Sequence, residues 1–132
     1  YQLSQLVVKK MKESGWGRII NIASLQSLRA FDNSIPYGAS KGGVMQLTRA
    51  LAQAYSKNGI LVNAIAPGFF HTKLTESLFQ DPEKLKVLAA KTMMNRNGEE
   101  EDLFGISVFL CSDANSYITG QTIFLDGGFS AQ

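Results

Sequence analysis

Three short, nearly continuous apolar runs, separated by stretches of helical periodicity, limit what this chain can fold into. The runs are Arg18-Ile-Ile-Asn-Ile-Ala23, Ile60-Leu-Val-Asn-Ala-Ile65 and Thr122-Ile-Phe-Leu125. Their length and their flanking Gly and Pro residues mark strands rather than helices. A strand that is apolar at successive positions, rather than at alternate ones, belongs in a sheet covered on both faces. Strands alternating with helices are the product of right-handed βαβ crossovers, so the predicted fold class is α/β with three parallel strands. Three strands are few for such a sheet, where five or six are common.

The helical stretches can be placed from their periodicity. Residues 1–14 carry an apolar stripe of Leu3, Leu6, Val7 and Met11, with Lys9, Lys10, Lys12 and Glu13 mostly off it. Gly15 and Gly17 close that helix. A long helix is predicted over residues 37–57, where Val44, Leu47, Leu51 and Ala54 recur at three- and four-residue steps before Asn58-Gly59. Short helices follow at 72–79 and 82–91. A last helix is expected from the acidic run Glu99, Glu100, Glu101 and Asp102, which complements a helix dipole, to about Leu110.

Composition removes several functions. Hydrophobic residues make up 45% and charged residues 18%, with eight Phe to bury, so disorder is not expected. A net charge of +2 leaves no footprint for nucleic acid. One Cys and one His exclude a disulfide framework, a Cys-based zinc site and a multi-His site, so no metal is expected. No apolar run reaches bilayer length and no signal peptide stands at the start, which predicts no membrane partner and a cytoplasmic location. The 132 residues allow one domain.

Tyr37 and Lys41 are four residues apart on a predicted helix and therefore share a face. An ammonium beside a phenol favours the phenolate, and so does the nearby helix N-terminus. A Tyr tuned in this way can exchange a proton with a substrate hydroxyl. Ser24 ends the first strand, and the next helix must begin at the same edge of the sheet, where ligands bind in open α/β folds. Ser24, Tyr37 and Lys41 can therefore converge. The second strand ends there too, with Pro67-Gly68 and then Thr72: a Gly would let a planar ring approach the backbone, and a Thr would offer a hydroxyl to an amide.

With these residues in place, the chain resembles the short-chain dehydrogenases/reductases. Asn21-Ile-Ala-Ser24 resembles the strand ending in that family's catalytic Ser, and Tyr37-Gly-Ala-Ser-Lys41 its Tyr-x-x-x-Lys motif at the usual interval. Val62-Asn-Ala-Ile-Ala-Pro-Gly68 with Thr72 resembles its nicotinamide-side loop, and Ile118-Thr-Gly-Gln-Thr-Ile-Phe-Leu-Asp-Gly-Gly128 its closing strand. The resemblance implies an NAD- or NADP-dependent oxidoreductase that moves hydride between nicotinamide and a hydroxyl or carbonyl carbon. Ser24 would hold the substrate oxygen and Tyr37 would be its proton donor or acceptor. Lys41 would support Tyr37 and bond the nicotinamide ribose. Pro67, Gly68, Phe70 (through its backbone) and Thr72 would border the nicotinamide. Gln26 is a candidate substrate contact on its own position, two residues after Ser24.

The resemblance also implies that part of the domain lies outside these residues. Family members are roughly twice as long and begin with a strand and a Gly-rich dinucleotide loop. This sequence has neither that loop nor the family's Asn-Ala-Gly segment and helix Asn, and it opens at Tyr1 inside a helical pattern with no N-cap. Residues 1–132 are therefore expected to be a partial Rossmann domain, its C-terminal half, inactive alone and with the edge and a face of the first strand exposed. Family members assemble through helices matching 1–14 and 37–57 and through the final strand, so a homodimer or homotetramer is expected of the full-length protein.

Within the family, Ser24-Leu-Gln-Ser-Leu-Arg-Ala30 and Asn33-Ser-Ile-Pro-Tyr-Gly-Ala-Ser-Lys-Gly-Gly43 look most like the sugar-acid dehydrogenases of gluconate and 2-deoxy-gluconate. Reductases of 3-oxoacyl groups and of polyols share much of the pattern. A non-catalytic module is the other class of reading, and retention of Ser24, Tyr37 and Lys41 together argues against it. Elsewhere the plainer reading is preferred: His71 as an exposed loop residue, Arg29 and Arg96 in surface salt bridges, and Cys111 as a small buried hydrophobe. Phe69, Phe70, Met93 and Met94 either form a mobile lid or pack beneath one.

Overall fold

A computed structural model describes residues 1–73 and 75–132. In chain order the elements are α1 (Gln2–Ser14), β1 (Gly17–Ile22), α2 (Ile35–Tyr55), β2 (Ile60–Pro67), α3 (Glu76–Phe79), α4 (Pro82–Ala90), α5 (Asp102–Cys111) and β3 (Thr122–Leu125). Single 3₁₀ turns occur at Leu25–Ser27, Asp32–Ser34, Ser56–Asn58 and Phe129–Ala131. The strands form one parallel sheet in the order β1-β2-β3, with Gly17 opposite Ile60 and Ala64 opposite Thr122. This is the α/β architecture expected from the alternation of apolar runs.

Burial on both faces holds for β2 alone. Ile60, Val62, Ala64, Ile65 and Ala66 are buried, whereas β1 and β3 flank the sheet and are mostly half-buried, with Ile22 56% exposed. Val8 of α1 and Leu51 and Ala52 of α2 pack on Ile60 and Val62, with Met11, Ile19, Leu47 and Tyr55 around them. The polar residue in β2 is itself built in. Asn63 is fully buried, donates from Nδ2 to the Ile118 carbonyl (2.8 Å) and accepts at Oδ1 from the Gln121 amide (3.1 Å). That pair fastens the approach to β3 against the central strand. Where β2 begins, Gly59 sits at φ 77° with the position of a Cβ only 2.0 Å from the Gly15 carbonyl oxygen, so a side chain is excluded on both counts.

Several boundaries and faces differ from the sequence reading. The α1 stripe is divided: Met11 packs toward the sheet beside Val8, whereas Leu3, Leu6 and Val7 are exposed. Helix α2 starts at Ile35, two residues early, because Pro36 fits the first turn, where a missing N–H costs nothing. Helix α5 starts at Asp102, so Glu99 and Glu100 precede it and only Asp102 lies in its first turn. The Asp102 carboxylate accepts from the Glu99 amide (2.9 Å), which fixes a turn ahead of the helix. Cys111 closes α5 exposed, not buried. The helix predicted over 72–79 shortens to α3, and Leu74 within that range lies outside the described residues.

Candidate active site

Ser24 lies just past the C-terminal end of β1, in extended conformation, and caps the 3₁₀ turn Leu25–Ser27. Its Oγ accepts from the Gln26 amide (3.2 Å), and the Ser27 Oγ accepts from the Ser24 amide (3.3 Å). Ser27 Oγ also donates to the Lys41 carbonyl at 2.7 Å, which ties the turn to α2. Lys41 reaches back from the helix: its Nζ donates to the carbonyl of Ile22, the last residue of β1, at 2.8 Å. The same ammonium lies 5.6 Å from the centre of the Tyr37 ring, inside cation–π range. A strand end, a capped turn and the first two turns of a helix are thus locked into one unit.

Ser24 and Tyr37 line one open cavity of about 400 Å³. Gln26, Gly68, Phe69 and Thr75 also line it; of these, Gln26 was expected to meet substrate and Gly68 to border the nicotinamide, whereas Lys41, Pro67, Phe70 and Thr72 are not among the lining residues. Phe31, Ser34 and Thr75 were not anticipated from the sequence. Phe31 and Ser34 lie in the connection between β1 and α2, and Thr75 lies within a stretch read as helix.

The loop after β2 carries the remaining candidates. Pro67 ends the strand opposite Leu125. Gly68 is required by packing between strands: a Cβ there would stand 2.9 Å from the Asp126 Cα, so its missing side chain admits the backbone of the next loop. Phe70 is buried, its ring against Gly98, and its carbonyl accepts from Thr75 Oγ1 at 2.6 Å. Thr72 is exposed and exchanges bonds with Thr75: the Thr72 amide donates to Thr75 Oγ1 (2.9 Å) and the Thr75 amide to Thr72 Oγ1 (3.3 Å). On the other side of this loop a second cavity of about 440 Å³ opens between Phe70, His71, Thr72 and the α5 residues Leu103, Phe104 and Val108.

The secondary candidates separate clearly. His71 is exposed, its ring 4.9 Å from that of Phe79. Arg29 holds main chain, not an acid as expected: Nη2 donates to the carbonyls of Ser130 (3.0 Å) and Gln132 (2.6 Å). Arg96 does pair with an acid, donating to both carboxylate oxygens of Asp102 at 2.6 and 2.7 Å. That guanidinium, with the Glu99 amide, holds the Asp102 carboxyl down at about 2. Phe69 packs with Phe31 and Phe129 at ring distances of 6.4 and 5.5 Å, while Met93 and Met94 are exposed. Phe69 and Phe70 therefore pack, and the two Met residues stay at the surface.

Comparison with known proteins agrees with this arrangement. A family model described as enoyl-(acyl carrier protein) reductase matches residues 1–130. A tropinone reductase homolog of Arabidopsis thaliana is 41% identical over 130 residues, which is 98% of this chain and 42% of that protein. The gluconate 5-dehydrogenase of Gluconobacter oxydans is 40% identical over 128 residues, 97% of this chain and 50% of that enzyme. The crystal structure of a gluconate 5-dehydrogenase from Burkholderia cenocepacia, in complex with NADP and tartrate, superposes with a TM-score of 0.94 at 38% identity, covering 98% of this chain and 51% of that one. The chain thus spans about half the length of the curated relatives it matches. With the parallel sheet, the matched motifs and a family model spanning nearly every residue, the chain belongs to the short-chain dehydrogenase/reductase family.

Proposed function

We propose that this chain forms the C-terminal, catalytic half of a Rossmann domain in an NAD(P)-dependent oxidoreductase. The full-length protein transfers hydride between nicotinamide and a small hydroxyl or carbonyl compound, a sugar acid such as gluconate. The observation that carries the reading is the shared cavity: Ser24 and Tyr37 on one wall, with Lys41 one helical turn beyond Tyr37 and anchored to the end of β1. The relatives acting on gluconate support the substrate class.

The residues present fit a nicotinamide cofactor. The loop from Pro67 to Thr72 runs between two cavities of similar size, one holding Ser24 and Tyr37 and the other floored by α5. Pro67, Gly68, the Phe70 backbone and Thr72 would border the nicotinamide, and Lys41 would meet its ribose. When bound, the cofactor supplies or accepts the hydride.

The chain's own residues manage the oxygen. Ser24 Oγ holds the substrate oxygen in the cavity, and its place at a capped turn fixes it before substrate arrives. Tyr37 gives a proton to that oxygen on reduction, or takes one on oxidation. Lys41, anchored on the Ile22 carbonyl, stands beside the Tyr37 ring. Fixed donors aimed at a developing oxyanion supply most of the gain in rate. In the full-length protein, Tyr37→Phe is expected to lower kcat by about 10²-fold or more while reduced-nicotinamide fluorescence still reports binding. Undiminished turnover would remove Tyr37 from the acid–base role.

The full-length protein is further inferred to be a homo-oligomer. The exposed apolar face of α1 formed by Leu3, Leu6 and Val7 supports that reading.

A further inference from the structure

Ser34 occupies the N-cap of α2, where a Ser normally turns its hydroxyl onto a free amide of the first turn. It makes no such bond. Its Oγ lies instead 2.6 Å from Gln26 Oε1, joining the start of the helix to the turn that carries Ser24. Both side chains line the cavity shared by Ser24 and Tyr37. A helix cap has been given up in favour of holding a carboxamide at the substrate wall.

The orientation of that carboxamide follows from its surroundings. Gln26 Oε1 faces Ser34 and lies 3.6 Å from where a Cβ of Gly38 would be, so it sits over the first turn of α2. The unpaired N–H groups and positive end of the helix favour oxygen there over an amino group. Ser34 Oγ–H then donates to Oε1, and Gln26 Nε2 is left with two hydrogens and no partner among the described residues. The same cavity is lined by the rings of Phe31 and Phe69, which form an edge-to-face pair with centres 6.4 Å apart. A cavity lined by both amide donors and aromatic rings matches a hydroxylated carbon chain, which presents oxygens along one side and C–H groups along another.

We propose that the Gln26 carboxamide reads a substrate hydroxyl beyond the reacting carbon and that Ser34 is the positioning residue that aims it. This rests on the oxidoreductase reading above and adds to it the means by which a polyhydroxylated substrate is told from a deoxygenated one. Ser34 touches neither substrate nor cofactor in this scheme; it acts through Gln26.

The test compares 5-keto-D-gluconate with 5-oxohexanoate, which keeps the ketone and the carboxylate but lacks the hydroxyls, as substrates of the full-length protein. The readout is the ratio of their kcat/KM values. Gln26→Leu is expected to lower the ratio about tenfold, the scale of one lost hydrogen bond at a site built to make it. Ser34→Ala is expected to lower it about threefold, through KM rather than kcat, and Ser34→Thr to restore it. The double variant should lose no more than Gln26→Leu alone, since both act through one contact. The thermal midpoint of Ser34→Ala should stay close to that of the unsubstituted protein, because no cap is removed. The proposal is overturned if Ser34→Ala leaves the ratio unchanged, if it slows both substrates alike, or if the two losses add. An unsubstituted protein that reduces both ketones equally well also overturns it, while the oxidoreductase reading stands. One that reduces neither ketone, although it reduces other carbonyl compounds, defeats the sugar-acid assignment and this proposal with it.

Discussion

Asn63 gives the sharpest test of how the sheet is held. It is the fully buried polar residue of the central strand, and its carboxamide serves both the Ile118 carbonyl and the Gln121 amide. Asn63→Leu keeps the branched outline of the side chain, with bulkier methyl groups in place of the amide, and removes both bonds. The Ile118 carbonyl retains a bond from Asn115 Nδ2 at 3.2 Å, so it is not orphaned. The Gln121 amide loses its partner. Two bonds at about 1 kcal/mol each, with a further cost for the unpaired amide, give a loss of about 2–4 kcal/mol. For a protein of roughly twice this length, each kcal/mol moves the midpoint by about 2–4 °C, so a fall in Tm of about 4–16 °C is expected. Differential scanning calorimetry of the full-length protein, beside Asn63→Asp, checks it. The Asp variant keeps an acceptor for Gln121 but turns a carboxylate oxygen toward the Ile118 carbonyl, and should be no more stable than Asn63→Leu. A Tm for Asn63→Leu within about 1 °C of the parent would refute the reasoning, because the carboxamide would then be exchangeable for hydrocarbon.

Other outcomes follow from single contacts. Gly98→Ala places a Cβ 2.5 Å from the Phe70 ring, so it should destabilise by about 1–3 kcal/mol and weaken nicotinamide binding, both measurable by denaturation and fluorescence titration. Asp102 is depressed from 3.8 to about 2 by Arg96, so its stabilising effect is complete above pH 4 and disappears as the pH falls toward 2; Asp102→Asn should flatten the acid limb of a stability–pH curve in that window. Leu6→Glu on the exposed face of α1 should shift the full-length protein to a smaller species in light scattering, with its circular dichroism unchanged.

The order of elements was legible because parallel strands and their crossover helices write different periods into the sequence. The convergence of Ser24 and Tyr37 was legible for a related reason, since topology puts the end of β1 and the start of α2 at one edge. The faces of α1 were harder to read. Its Leu3–Leu6–Val7 stripe has the period of a buried face, but periodicity records that a face is apolar and not what covers it. The start of α5 was misplaced because four successive acids suit a helix dipole equally well at neighbouring positions. Which of them begins the helix is decided by Arg96, six residues before Asp102. Gly68 carries the same lesson at the site, where the clash it avoids is with Asp126, a residue 58 positions away. Phe31, Ser34 and Thr75 could not be found from local pattern, because each becomes a pocket residue only through the packing of separate loops.

The cluster of Phe31, Phe69 and Phe129 joins the loops that follow β1, β2 and β3. Its consequence lies in how such a pocket can diverge. A ring exchanged in one loop leaves the other two without their partner, so the three positions are not free to vary one at a time. New substrate preferences would therefore arise by concerted change in three segments scattered along the chain, or at Gln26 and Ser34, which stand outside the aromatic cluster. The central strand, with its own buried pins, is left untouched by either route.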